Sequence, residues 1–201
     1  MLRRTFFILA IGLLAPSVAD ASPKSRDPAQ VPAGDYELDP RHASLVVRVP
    51  HMGGFSRYTM RFNALRGHFT YDPADWRHTQ ATITVDPKSI DTGDAGFDKT
   101  IAGSFFDADR YPTIEFVSTG LTPDGEGRGQ LTGDLTFHGV TRPVTLEVAF
   151  NGVGPGLLGA GTRLGLSGAG AFQRSDFGVT AVRAFAGDRV ELEFEVEFVK
   201  K

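Results

Sequence analysis

Apolar and polar residues alternate with a period of two along most of the chain. This is the pattern of strands that are dry on one face and wet on the other. From Ala43 to His51, Leu45, Val47 and Val49 share one face while Ser44 and Arg48 take the other. Tyr58, Met60 and Phe62 alternate with Thr59 and Arg61; Phe69 and Tyr71 continue the theme; Ala81, Ile83 and Val85 alternate with Thr82 and Thr84. Ile114 and Phe116 flank Glu115, and Leu131, Leu135 and Phe137 oppose Thr132, Asp134 and Thr136. Val144, Leu146, Val148 and Phe150 oppose Thr145 and Glu147. The cleanest run is the last, with Val190, Leu192, Phe194, Val196 and Phe198 against Glu191, Glu193, Glu195 and Glu197. Turn chemistry at Asp72-Pro73, Pro123-Asp124-Gly125, Asn151-Gly152 and Gly187-Asp188 punctuates these runs.

Only the stretch from Asp94 to Gly103 reads as helix, with Phe97 and Ile101 at i, i+4 spacing and Asp94 or Thr92 as its N-cap. About eight strands, each apolar on one face, predict an all-β fold, either a sandwich or a closed antiparallel barrel with a short helix. Closure removes edges, which suits a strand as apolar as Val190–Phe198.

The apolar face is rich in phenylalanine but contains gaps. Between Arg163 and Arg174 one face reads Leu164, Leu166, Gly168, Gly170 and Phe172, and Gly133 sits between Leu131 and Leu135. Glycine inside a strand marks either a tight approach or bend, or a space. An eight-stranded barrel is wide enough to fill with side chains or to hold one small ligand. Both readings stay open on the pattern alone, with the aromatic surroundings favouring a ligand.

At 201 residues, with 41% hydrophobic and 22% charged residues, the chain has the composition of one globular domain. A net charge of −3 gives no basic field to attract nucleic acid. Cysteine is absent, which excludes disulfides, thiolate metal sites and a lipidated N-terminal cysteine. Arg3 and Arg4, the apolar stretch Phe6–Ala15, Pro16, and the small residues Ala19 and Ala21 form a secretory signal peptide with cleavage expected after Ala21. Arg3-Arg4-Thr5-Phe6-Phe7 also loosely resembles a twin-arginine signal. The mature chain would start at Ser22, with residues 22–34 as a flexible lead-in rich in proline, serine and charge.

Candidate chemistry is thin. His42, His51, His68, His78 and His138 follow no metal-ligand spacing, and Ser167 and Ser175 lack a nucleophile-elbow setting. Asp107 and Asp109 form a carboxylate pair of the kind common in turns. No catalytic residue and no metal ligand is assigned, and a binding protein is favoured over an enzyme.

Several motifs then resemble one family. Gly133-Asp-Leu-Thr-Phe-His-Gly-Val-Thr-Arg-Pro-Val-Thr-Leu146, Ser89-Ile-Asp-Thr-Gly93, Ser104-Phe-Phe-Asp107 followed by Tyr111-Pro-Thr-Ile-Glu-Phe116, and Gln173-Arg-Ser-Asp-Phe-Gly178 occur in the order found in the YceI-like family of periplasmic polyisoprenoid-binding proteins. The resemblance covers about residues 35–199. Where many relatives carry a basic residue before the Phe-Phe-Asp, this chain has Thr100-Ile101-Ala102-Gly103.

The resemblance implies an eight-stranded lipocalin-like barrel whose interior holds a polyisoprenoid, an isoprenoid quinone or a similar amphiphile as ligand, with no other cofactor. It also implies a periplasmic role in transport, storage or sequestration. On that reading Leu45, Val47, Val49, Phe62, Phe69, Ile83, Phe116, Leu135, Phe137, Leu146, Val148, Gly168, Gly170, Phe172, Phe194 and Phe198 contact the tail. His51, Arg61 and Arg174 are the headgroup candidates, with an Arg174–Asp176 ion pair as the alternative for Arg174. Further expectations are a transient contact with a membrane or a membrane redox protein, and a monomer or homodimer. A stress-protective accessory role and an enzyme acting on the bound lipid are the other function classes.

Overall fold

The computed structural model describes residues 25–156 and 159–201. The expected signal peptide, its cleavage point after Ala21 and the first residues of the lead-in lie outside the described residues. From Ser25 onward the lead-in is docked. Ser25 and Val153 exchange backbone hydrogen bonds of 3.1 and 2.8 Å, Asp27 caps a 3-10 turn at Pro28–Gln30, and Val31 is buried.

The strands are β1 (Gly34–His51), β2 (Ser56–Phe62), β3 (Leu65–Tyr71), β4 (Ala81–Val85), β5 (Ile90–Asp91), β6 (Ile114–Gly125), β7 (Arg128–Phe137), β8 (Val140–Pro155), β9 (Thr162–Gln173) and β10 (Arg189–Lys200). Eight of them close an antiparallel barrel in the order β1-β10-β9-β8-β7-β6-β4-β3 and back to β1. The alternation sets the faces: Val190, Leu192, Phe194, Val196 and Phe198 point inward, and Glu193 and Glu191 meet Arg48 and Arg57 outside.

β1 does double duty. Gly34–Glu37 pairs with β3, whereas Leu45–His51 pairs with β2. The register against β10 shifts between Leu38 and Ala43, so the inward positions change from Tyr36 and Leu38 to Leu45, Val47 and Val49. An irregularity that inserts residues inverts the parity of a strand. Asp39 in that irregularity accepts from the Arg41 backbone, from His42 and from Arg163 at 2.8 Å.

Several elements depart from the sequence pattern, among them the expected turn at Pro123-Asp124-Gly125, which lies at the end of β6. Asn151-Gly152 is not a turn: it lies inside β8, where the register with β9 slips between Phe150 and Gly152. The expected helix is one regular turn and a half, α1 (Ala95–Thr100), continuing as a π turn over Ile101–Phe105. Its predicted cap is present, with the Asp94 carboxylate accepting from the backbone of Gly96 and Phe97. The short β5 was not legible in the alternation. It pairs only with Arg61 and Phe62 of β2 among the described residues.

Candidate ligand-binding cavity

The barrel encloses a cavity of about 520 Å³, within the range of pockets that hold small organic ligands. At one end, called the base, Tyr36 stacks on Phe69 at 5.0 Å between ring centroids and Phe69 meets Phe198 edge-on at 4.9 Å. The Tyr36 hydroxyl donates to the Pro32 carbonyl at 2.8 Å, so this buried ring has its polar atom satisfied. The opposite end, the mouth, is framed by the β1–β2 connection, by α1 with its π turn, and by the segment 178–188 that leads from β9 to β10.

Of the sixteen tail candidates, Leu45, Val47, Val49, Phe62, Phe69, Ile83, Phe116, Leu135, Phe137, Leu146, Val148, Phe172, Phe194 and Phe198 all line this cavity. Gly168 and Gly170 do not. A Cβ on Gly168 would lie 2.6 Å from the Glu147 carbonyl oxygen and 2.7 Å from Cε1 of Phe194, and one on Gly170 would lie 2.5 Å from Cδ2 of Leu146. These glycines let neighbouring side chains lie flat against the wall. The gaps in the sequence pattern are filled by residues from adjacent strands and are not open space.

Apart from His51, Tyr58 and Arg174, every lining side chain is hydrocarbon, proline or thioether. Two of the three headgroup candidates are therefore in the cavity wall at its mouth end. Arg61 is not. Its neighbours Met60 and Phe62 face inward, so the period of two turns Arg61 outward, opposite Asp91 in the β2–β5 pair.

Arg174 is 6% exposed and opens a 3-10 turn that ends at Gly178 with φ of 76°. Its Nε donates to the Gly187 carbonyl at 2.9 Å, Nη1 to those of Val179 and Ala181 at 3.1 and 2.7 Å, and Nη2 to that of Ala186 at 2.8 Å. Four of the five N–H donors of the guanidinium thus tie the segment 178–188 to the end of β9. The expected partner Asp176 is not among them. The acid beside Arg174 is Asp188, whose carboxylate accepts from the Ser175 backbone at 2.9 Å and hydroxyl at 2.6 Å. Burial draws the Arg174 pKa below the ordinary arginine value, with Asp188 opposing the shift. A guanidinium has no accessible neutral form, so a cation stands at the mouth.

Three of the other four histidines have local partners. His42 pairs with Asp39, His78 with Asp75, and Nδ1 of His138 lies 3.2 Å from the Phe177 carbonyl with its ring against Tyr111. Among the described residues no three His, Asp or Glu side chains converge as a metal site would require. The lining residues absent from the sequence-based set include inward strand positions such as Met60, Leu131 and Leu192 and, at the mouth, two groups: Phe97, Phe105 and Phe106, and Val179, Val182 and Phe185. The spacing of Phe97 and Ile101 was a usable signal for the first group. Segment 178–188 has no periodicity that marks an inward face.

The model of the YceI-like domain matches residues 36–198, almost the whole barrel. The chain belongs to the YceI-like family. A UPF0312 protein of Vibrio cholerae is 37% identical over 172 residues, which cover 84% of this chain and 89% of that protein. Among solved structures, Burkholderia cenocepacia BcnA superposes with a TM-score of 0.68 at 26% identity, over 80% of this chain and 98% of BcnA. A polyisoprenoid binding domain from Saccharophagus degradans superposes with a TM-score of 0.61 at 16% identity, over 83% of this chain and 98% of that domain, a likeness of fold. The YceI-like barrel is thus a shared scaffold, and in this member its interior is lined almost wholly by hydrocarbon.

Proposed function

We propose that this YceI-like barrel binds the tail of a long-chain polyisoprenoid or isoprenoid quinone and carries or stores it in the periplasm. The observation that supports this most is the distribution of polarity along the cavity. Its base is an aromatic plug, its walls are apolar, and its polar lining groups, His51, Tyr58 and Arg174, stand at the mouth. An amphiphile with one polar end fits that arrangement tail first. The Saccharophagus barrel, alike in fold, is a polyisoprenoid binding domain.

Energetics favour a carrier over a trap. Burying hydrocarbon from water is worth about 0.8 kcal/mol per CH₂. For tens of carbons that sum passes the ceiling of about 18–21 kcal/mol seen for non-covalent complexes. The relevant competitor is a membrane, where the tail is already dry. Exchange between bilayer and barrel is then nearly neutral for the tail, so the head and the tail length set selectivity. With no assembled nucleophile or acid–base pair in the wall, the role proposed is binding and not catalysis.

Native mass spectrometry of the protein purified from its source tests this reading. The expected result is a single stoichiometric lipid with a long apolar tail. A barrel that is empty, or that holds only a water-soluble polar molecule, overturns it.

A further inference from the structure

The mouth carries an apolar collar that the cavity itself does not need. The tip of the β1–β2 connection, Met52 to Phe55, has Phe55 92% exposed and Met52 about half exposed. Met52, Gly53 and Gly54 all have positive φ, and no atom lies within 4 Å of where a Cβ would sit on either glycine, so the tip stands clear of the barrel. Segment 178–188 lies beside it: Met52 N donates to the Phe185 carbonyl at 2.7 Å and Gly187 N to that of Pro50 at 2.7 Å. Phe185, 56% exposed, and Val182 therefore form one ledge with Met52 and Phe55. Soluble proteins seldom expose large side chains together without a partner.

Charge separates the possible partners. Residues 50–62 contain Arg57 and Arg61 and no acid, and residues 177–187 contain Arg183 and no acid, in a protein whose net charge is −3. Across the mouth, Asp94 and Asp98 are engaged locally, Asp94 capping α1 and Asp98 accepting from Thr92. Connections at the base carry mixed charge: Asp72, Asp75 and Arg77 after β3, and Asp124, Glu126 and Arg128 in and beside the β6–β7 turn. Neither segment contains a carboxylate, although Asp176 and Asp188 border the second and Glu191 pairs with Arg57 at 3.2 Å. Protruding aromatic side chains with arginines among them match the interface of a bilayer that contains anionic lipid.

The geometry points to a membrane-docking surface made of the Met52–Phe55 tip and the Val182–Phe185 ledge. These side chains enter the headgroup layer of an anionic bilayer, and Arg57 and Arg183 contact its phosphates. The collar is continuous with the cavity lining through Phe185 and Val182. A docked barrel therefore opens directly onto acyl chains, and an apolar tail passes between them without crossing water. As a route for lipid this rests on the carrier reading above; as a docking surface it stands on its own residues.

The test is partition of the purified protein onto vesicles of phosphatidylcholine alone and of phosphatidylcholine with phosphatidylglycerol. Expected are stronger binding to the anionic vesicles and about tenfold or greater weakening by Phe55→Ser, a residue outside the cavity lining. Arg57→Glu with Arg183→Glu should remove the preference for phosphatidylglycerol. The chain has no cysteine, so an environment-sensitive dye on Ser56→Cys should shift to the blue on the vesicles, while one on Asp124→Cys at the base should not. No binding to either vesicle, binding unchanged by Phe55→Ser, or equal dye shifts at both ends overturns the proposal. A lipid-filled barrel that ignores vesicles removes the docking surface and leaves the carrier. An empty barrel that docks as described does the reverse.

Discussion

Leu146 and Gly170 face one another across β8 and β9, and Cδ2 of Leu146 reaches to 2.5 Å from where a Cβ on Gly170 would stand. The nearest backbone atom, the Thr145 carbonyl oxygen, is 3.3 Å away, so the tip of a flexible side chain is the main obstacle. At Gly168 the obstacle includes the Glu147 carbonyl at 2.6 Å, which cannot rotate aside. Gly170→Ala should therefore cost about 1 kcal/mol and be largely rescued by Leu146→Val. Gly168→Ala should cost about 2–3 kcal/mol and resist rescue by Phe194→Leu. Urea denaturation of the single and double variants checks this, and equal rescue at both positions would contradict it.

Cavity depth should set tail length. Leu131 lines the cavity and pairs with Leu146 across β7 and β8. Leu131→Trp is expected to shift the bound population towards shorter tails while costing no more than about 1–3 kcal/mol of stability. Mass spectrometry of the co-purified lipid reads the outcome, and an unchanged length distribution in the folded variant would remove Leu131 from the tail path.

The Arg174 side chain should act mainly on segment 178–188. Arg174→Met takes the buried guanidinium donor away from four carbonyls, so a loss of about 2–4 kcal/mol is expected, with new proteolytic cleavage confined to 178–188. Arg174→Lys should not restore the parent, because one ammonium cannot span carbonyls reached from both Nε and the two Nη atoms. Binding of headless alkane probes should fall together with binding of headed lipids. Selective loss of the headed lipids, with Tm unchanged, would instead make Arg174 a headgroup ligand alone.

These outcomes bear on what the sequence could disclose. The inward rows were readable because the β-strand period is two and the polar faces are heavily charged, as in the glutamates of β10. The same parity, followed through Tyr58, Met60 and Phe62, already turns Arg61 outward. Gly168 and Gly170 could not be read, since whether a missing side chain leaves a void depends on Phe194 and Leu146, which belong to other strands. The Arg174 hydrogen bonds were equally hidden. Backbone carbonyls carry no sequence signature, and the nearby Asp176 offered a decoy charge.

Asp39 should make the fold acid-sensitive in a narrow window. The hydrogen bond from His42 lowers its pKa to about 2, with burial opposing and Arg163 assisting. A carboxylate whose pKa falls on folding contributes stability that is complete above its unfolded value, near 4, and is lost as pH falls towards 2. With solvent screening the contribution is about 1 kcal/mol. The Tm gap between the parent and Asp39→Asn should be fully present at pH 5 and close between pH 4 and pH 2. A gap that persists at pH 2 would assign the effect to packing.

Export offers a simple check on the N-terminal residues. From Arg3, Arg4, the Phe6–Ala15 stretch and the Ala19/Ala21 pair we propose a mature N-terminus at Ser22. N-terminal sequencing of the periplasmic fraction should begin Ser-Pro-Lys-Ser, and protein retaining residues 1–21 would contradict it.

The divided pairing of β1 has a mechanical meaning. Towards the base the wall is laced all the way round by backbone hydrogen bonds, because β1 there pairs with both β3 and β10. Towards the mouth β1 is taken by β2, β2 by β5, and among the described residues β5 has no further strand partner. From there to β6 the wall is held by side chains, with Tyr58 edge-on to Phe97 at 5.6 Å and Phe62 stacked with Phe106 at 6.3 Å. This line is a seam. Parting it breaks ring contacts worth about 0.5–1.5 kcal/mol each and leaves the strand ladders intact. Amide exchange along the barrel strands is therefore expected to stay slow even where this line parts.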